Sequence, residues 1–257
     1  MIRCAQQDPT EARSRVAAPS QYRHTVAAWL VHAYTASGVV LAFLMFVAVV
    51  EGDTVRALWL FLVAMVVDGT DGMLARWVQV KRYAPSFDGA LLDNIVDYIT
   101  YAFMPMLLLW SAGYLGEGTS ATVLAVIPLI ASAYQFCRAD AKTDDHLFLG
   151  FPSYWNIAAF YVVVLDLEPV AVTVVLLVCA VLVFVPVGYV YPSRTSTLQG
   201  PTLALTCLWL VGYGVLVAQL PDPSPVWLAI TVAYVVYYVA LSLYLTVRRS
   251  RTAPAPA

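Results

Sequence analysis

Four aspartates stand inside an otherwise apolar chain: Asp68 and Asp71 close one hydrophobic segment, and Asp93 and Asp97 open the next. A carboxylate near hydrocarbon costs at least a few kcal/mol, so four together are expected only where a cation or a polar cavity offsets the cost. Residues three and four apart share a helix face. Asp68, Asp71, Gly72 and Ala75 therefore stack along one stripe, with Arg76 one turn beyond Gly72, and Gly89, Asp93 and Asp97 stack along another. Helices joined by a short connection run antiparallel, which lets the two stripes face each other across one cavity.

Carboxylates this close repel one another unless a cation neutralises them. A hard, oxygen-seeking ion, Mn2+ or Mg2+, present as one or two ions, suits such a site. Gly72 and Gly89, without side chains, let a sugar or phosphate come close to each helix. Arg76 adds a fixed cation for a phosphate or an aspartate. A purely structural use, with Arg76 bridging Asp68 and Asp93, leaves the other carboxylates unpaired.

The elements that must carry these residues are membrane spans. Of 257 residues, 61% are hydrophobic and only 12% charged, which excludes an ordinary water-soluble domain. The net charge of -2 and pI near 5.8, with charges segregated by segment, exclude a nucleic-acid partner. A span takes about 20 residues, and apolar segments fall at 26–50, 57–78, 89–112, 120–139, 154–165, 170–191, 201–220 and 226–247. The segment 154–165 is short and reads as a half-span or as one broken near Pro152.

The expected fold is all-α: a polytopic transmembrane helical bundle of about eight spans with an N-terminal interfacial helix. That helix is placed at 20–33, where Tyr22, Arg23, His24, Trp29 and His32 mix with alanines and valines; one long tilted span is the alternative. The organisation reads as a mobile cytoplasmic tail at 1–20, a membrane core at 21–190, two additional C-terminal spans within 191–247 and a cytoplasmic tail at 248–257. The four cysteines show neither disulfide nor zinc spacing and read as free thiols.

With an even number of spans both termini share a side, and of the 14 basic residues only Arg56 lies opposite them. The positive-inside bias then makes both termini cytoplasmic and opens the aspartate cluster to the cytoplasm. Asp140, Asp144 and Asp145, in the connection after the fourth span, read as a solvated loop in preference to a second metal site.

The run Asp68-Gly69-Thr70-Asp71-Gly72-Met73-Leu74-Ala75-Arg76, then twelve residues to Gly89, three to Asp93 and three to Asp97, resembles the signature of the CDP-alcohol phosphotransferases, Asp-x-x-Asp-Gly-x-x-Ala-Arg followed by Gly-x-x-x-Asp-x-x-x-Asp. The spacer is longer than in most of that family. In this, in Tyr83 to Gly89 and Gly150 to Asn156, and in its count of spans, the chain is similar to the bacterial phosphatidylcholine synthase subgroup. The resemblance implies a metal-dependent transfer of the phosphatidyl group of CDP-diacylglycerol to choline with release of CMP, in the bacterial cytoplasmic (inner) membrane. It further implies that Asp68, Asp71, Asp93 and Asp97 hold the metal, that Asp97 is the catalytic base, and that Asp68, Gly72, Ala75, Arg76 and Gly89 bind the CDP group. The expected partners are CDP-diacylglycerol, choline, membrane lipid and, as an assembly, a homodimer.

Choline carries a quaternary ammonium, best held by aromatic faces. Tyr154, Trp155, Tyr98 and Tyr189 are the leading candidates, ahead of Tyr34, Tyr83, Tyr101 and Tyr191, although Tyr and Trp also serve as interface anchors. Transfer to serine, glycerol phosphate or inositol is the competing enzyme reading, and the near absence of intramembrane Lys and Arg disfavours a phosphorylated acceptor. A divalent-cation or choline transporter is the reading from another class, but its carboxylates would line a path instead of crowding one end.

Overall fold

The computed structural model describes residues 19–143 and 145–252. Most of the N-terminal tail expectation, the residue Asp144 and the last five residues lie outside that range. The helices are α1 (Pro19–Val50), α2 (Thr54–Val78), the single turn α3 (Val80–Tyr83), α4 (Gly89–Asp97), a π-helix (Tyr98–Phe103) and α5 (Met104–Ser111). They continue with α6 (Gly118–Cys137), α7 (Trp155–Val164), α8 (Pro169–Phe184), α9 (Gln199–Ala218) and α10 (Pro225–Thr252).

Five helices, Gln21–Val50, Thr54–Val78, Gly118–Cys137, Gln199–Ala218 and Pro225–Ser250, are long and apolar enough to cross a membrane. Their outward surfaces are greasy: Leu30, Val40, Phe43 and Val50 on α1 are 60–70% exposed. Unpartnered aliphatic and aromatic side chains at this density suit lipid as the surrounding solvent. α4, the π-helix and α5 join into one uninterrupted rod from Gly89 to Ser111.

The short fifth segment is a 10-residue helix, α7, which begins after Pro152. Three expectations are corrected. Residues 20–33 form no separate interfacial helix, since the alanine- and valine-rich segment has no Pro or turn to interrupt it and runs straight into α1. The sixth segment ends at Phe184 because Pro186 denies an N–H to the helix and biases Val185 away from helical angles, which places Tyr189 and Tyr191 beyond it. At the C-terminus, helix α10 carries on to Thr252 in place of a tail from 248.

The fold also departs from all-α by one small sheet. Strand β1 (Leu147–Leu149) pairs antiparallel with β2 (Gly188–Val190), Phe148 opposite Tyr189. Both segments lie between helices, so their backbone groups find partners in each other. Gly150 follows β1 at φ +80°, where a Cβ would run into the Val183 carbonyl oxygen. The chain passes too close to the end of α8 here for a side chain.

The core holds Met45, Leu58, Phe61, Leu109, Trp155, Phe160, Leu176 and Tyr213, all fully buried. Tyr213 of α9 stacks on Phe160 at 3.9 Å and donates to the Leu58 carbonyl at 3.0 Å. Helix α9 is thereby joined to the core.

Candidate active site

All four aspartates line one cavity at the end of α2 and the start of the Gly89–Ser111 rod, together with Thr35 and Gly38 of α1 and Thr100 of the π-helix. Carboxylate oxygens of Asp68, Asp71 and Asp93 lie within 4.8 Å of one another. Oxygens about 2.1 Å from a common Mg2+ stand at most about 4.2 Å apart, so modest side-chain rotation closes this trio on an ion. Asp97 lines the same cavity outside that trio. Among the described residues none of the four makes an ion pair, and the structural salt-bridge alternative with Arg76 does not form.

Two of the carboxylates are oriented by hydroxyls. Tyr101 Oη donates to Asp68 Oδ2 at 2.7 Å, and Thr35 Oγ1 donates to Asp71 Oδ2 at 2.7 Å, leaving the second oxygen of each for a cation. The Tyr34 and Thr70 hydroxyls hydrogen-bond at 2.8 Å and add a second α1–α2 tie. Tyr101 reaches Asp68 from the π-helix, in which the Met104 N–H bonds back to the Ile99 carbonyl, five residues earlier. Pro105 has no N–H for the Tyr101 carbonyl, and the widened turn absorbs that break without ending the rod. Replacing Tyr101 with Phe removes the donor to Asp68. The Mn2+ concentration for half-maximal turnover is expected to rise about 10–100-fold, and an unchanged value in a metal titration contradicts this orienting role.

Sequence reasoning missed α1 as the third wall, because its contribution is two small residues without a chemical signature. A Cβ on Gly38 would run into Val96 Cγ1, and one on Gly89 would meet His32 Cε1 at 2.6 Å. These two contacts seat α1 directly on α4 and carry Thr35 to Asp71. The space over Gly89 is thus filled by the His32 ring, where an opening for ligand was expected; His32 is buried, and its Nε2 has no partner among the described residues. Gly38→Leu drives a side chain into Val96 and levers α4 outward. Overpacking of this kind costs about 1–3 kcal/mol, so a lower thermal midpoint in detergent and at least a tenfold loss of turnover are expected.

A family model described as CDP-alcohol phosphatidyltransferase matches residues 29–257. The chain belongs to this family. Its relatives include proteins named phosphatidylcholine synthase from Legionella pneumophila, 40% identical over 86% of this chain and 89% of the relative, and from Pseudomonas aeruginosa, 39% identical over 86% and 92%. Another from Borreliella burgdorferi is 34% identical over 86% of this chain and 95% of its own length.

In this CDP-alcohol phosphatidyltransferase the twelve-residue spacer is folded. It forms α3 and docks on the first half of α1, with Tyr83 stacked on His24 at 4.7 Å and Phe87 4.5 Å from the His32 ring. Asp88 then accepts from the Ala90 and Leu91 N–H groups and starts α4. The Arg76 guanidinium lies over Gly72, where a Cβ would stand 3.4 Å from its nitrogen, and Ala75 packs toward Ala28 and Val31 of α1.

The aromatic candidates separate. Trp155 is fully buried with its indole N–H on Ser132 Oγ at 2.6 Å, so it is a core residue with no face to offer a ligand. Tyr98 turns toward α6, where its hydroxyl donates to the Leu129 carbonyl at 3.3 Å and its ring meets Phe136. Tyr154 is half-buried with its ring 6.1 Å from that of Tyr101, and Tyr189 is buried in β2.

The loop after α6 is also more ordered than expected. Arg138 forms a two-pronged bond to Asp140, with both contacts at 2.8 Å, and holds that carboxyl below the usual carboxylate range. Asp145 pairs with Arg249 at 3.6 Å. Asp140 and Asp145 thus each face a cationic partner. Lys142, bridged to Phe148, lies within electrostatic reach of all four cavity aspartates. The sequence offered no sign of that, since the strand pairing that folds the loop back is non-local.

Proposed function

We propose that the protein is a phosphatidylcholine synthase that transfers the phosphatidyl group of CDP-diacylglycerol to choline and releases CMP. The observation that carries this reading is the convergence of Asp68, Asp71, Asp93 and Asp97 on one cavity at the spacing of the family signature. The acceptor choice is supported by the relatives named above.

Asp68, Asp71 and Asp93 would hold the ion, with Asp97 completing the site. A bound Mg2+ or Mn2+ neutralises charge on the diphosphate. Arg76 over Gly72, with Ala75 beside it, receives the CDP group, and Gly89 seats His32 at its edge. Lys142 adds positive charge from the loop side. The choline hydroxyl oxygen attacks the phosphorus bearing diacylglycerol, the bond from that phosphorus to the CMP oxygen breaks, and Asp97 accepts the hydroxyl proton. The quaternary ammonium lies against the rings next to Asp68, of which Tyr101 and Tyr154 are nearest in sequence of contact.

The apolar helices fit eight crossings when the Gly89–Ser111 rod and the two short helices α7 and α8 are counted with the five long ones. The distribution of basic residues supports a cytoplasmic side of the inner membrane for both termini and the cavity, where water-borne choline would enter and acyl chains stay in lipid. Residues 21–190 form the catalytic core and the segment 191–247 two further spans. A homodimer is the expected assembly, and the mass of the detergent-solubilised complex tests it.

Lys142 near the aspartates also favours a second reading, an anionic or polar acceptor: serine, glycerol phosphate or inositol. Membranes containing the protein, given CDP-diacylglycerol and each labelled alcohol in turn, decide between them. Choline-dependent phosphatidylcholine formation is expected; turnover of serine without choline turnover removes the assignment.

A further inference from the structure

The last helix is not needed to gather the aspartates, yet it turns three tyrosines inward. Tyr234 and Tyr237 are spent on holding α10 to α9, through hydroxyl bonds to Thr206 and Thr202, each 2.7 Å. Tyr238 points elsewhere. Its hydroxyl donates to the Val190 carbonyl at 2.9 Å, and its ring stands 6.4 Å from those of Tyr154 and Tyr189. Tyr154 in turn is 6.1 Å from Tyr101, the tyrosine bonded to Asp68. Tyr191 directly follows the Val190 whose carbonyl Tyr238 holds, and its ring lies 4.7 Å from that of Phe148.

The rings therefore run without a break from the carboxylate cluster to α10. Tyr154, Tyr191 and Tyr238 all remain half-buried although they come from three different parts of the chain. Tyr238 and Tyr154 are tilted by 55°, unlike the face-to-face core pair Phe160 and Tyr213 at 3.9 Å. Tyr238 lies nearly parallel to Tyr189, at 25°, so of its two neighbours it is Tyr154 that it meets at an angle. The helix also fixes the strand between them: the Val190 and Gly188 N–H groups donate to Ser242 Oγ at 3.1 Å and Thr246 Oγ1 at 2.8 Å.

A trimethylated ammonium cannot shed its charge or donate a hydrogen bond, so recognition falls to electron-rich ring faces. We propose that Tyr238 of the last helix, with Tyr154 and Tyr191, encloses the quaternary ammonium of the acceptor, so that α10 belongs to the active site and sets acceptor choice. This rests on the choline reading above and extends it to a helix outside the motif-bearing pair.

The test uses the full-length protein in lipid, with choline and CDP-diacylglycerol varied separately. Tyr238→Leu, and independently Tyr191→Leu, are expected to raise KM for choline about tenfold, the size of one good cation–π contact, with KM for CDP-diacylglycerol unchanged. Tyr238→Phe keeps the ring and is expected to stay within threefold of wild type. An unchanged choline KM in both leucine variants overturns the proposal. So does a parallel rise for both substrates, or a phenylalanine variant as impaired as leucine, since either marks a role in holding the fold. A wild-type protein with no choline-dependent CMP release overturns this inference together with the acceptor reading, whereas normal wild-type turnover with unaffected variants removes only this inference.

Discussion

Asp97→Asn is expected to cut choline-dependent CMP release by about 10²–10⁴-fold, the range for removing a positioned general base, while CDP-diacylglycerol still binds. Asparagine has the same shape but cannot take the choline proton. Asp97 lines the cavity outside the trio whose oxygens lie within 4.8 Å, so its loss leaves three ligand charges in place. A defect confined to turnover at saturating donor marks an interaction made only in the transition state. Donor retention is read by binding of labelled CDP-diacylglycerol to the purified variant. Near-normal turnover, with donor bound, excludes Asp97 as the base.

The second large effect belongs to Asp93. Asp68 and Asp71 each receive a hydroxyl hydrogen bond, from Tyr101 and Thr35, whereas no such donor to Asp93 is recorded among the described residues. Its carboxylate is therefore the member of the trio that depends most on a cation. Asp93→Asn removes one of the three charges facing the ion, and the Mn2+ concentration for half-maximal turnover is expected to rise at least tenfold, with excess Mn2+ restoring much of the rate. Loss of turnover that no Mn2+ concentration repairs, with the metal requirement of the residual rate unchanged, contradicts its place in the trio.

The catalytic stripes were legible because helix periodicity converts spacing into geometry. Asp68 and Asp71, and Asp93 and Asp97, needed only two adjacent helices to meet. The long apolar helices were legible for the same reason, as unbroken runs longer than a bilayer is thick. What escaped the sequence is non-local. Thr35 and Gly38 matter through what they touch on α2 and α4, and neither residue type announces that role. The π-helix at Tyr98–Phe103 is a response to Pro105 that tertiary packing resolves as a bulge instead of a break. The pairing of Leu147–Leu149 with Gly188–Val190 joins segments about forty residues apart, which no periodicity forecasts. That pairing sets Tyr189 beside Tyr238 of α10. Trp155 misled because an aromatic residue at a helix start reads alike as core or as ligand wall, and only its bond to Ser132 separates the two.

The most direct test of the central claim, that three carboxylates gather an ion on which transfer from the lipid donor depends, is CMP release by purified, metal-stripped protein in lipid with CDP-diacylglycerol, choline and Mn2+ each supplied or withheld. CMP release only when all three are present is the predicted result. Release at the same rate without added metal in the continued presence of chelator would contradict the account.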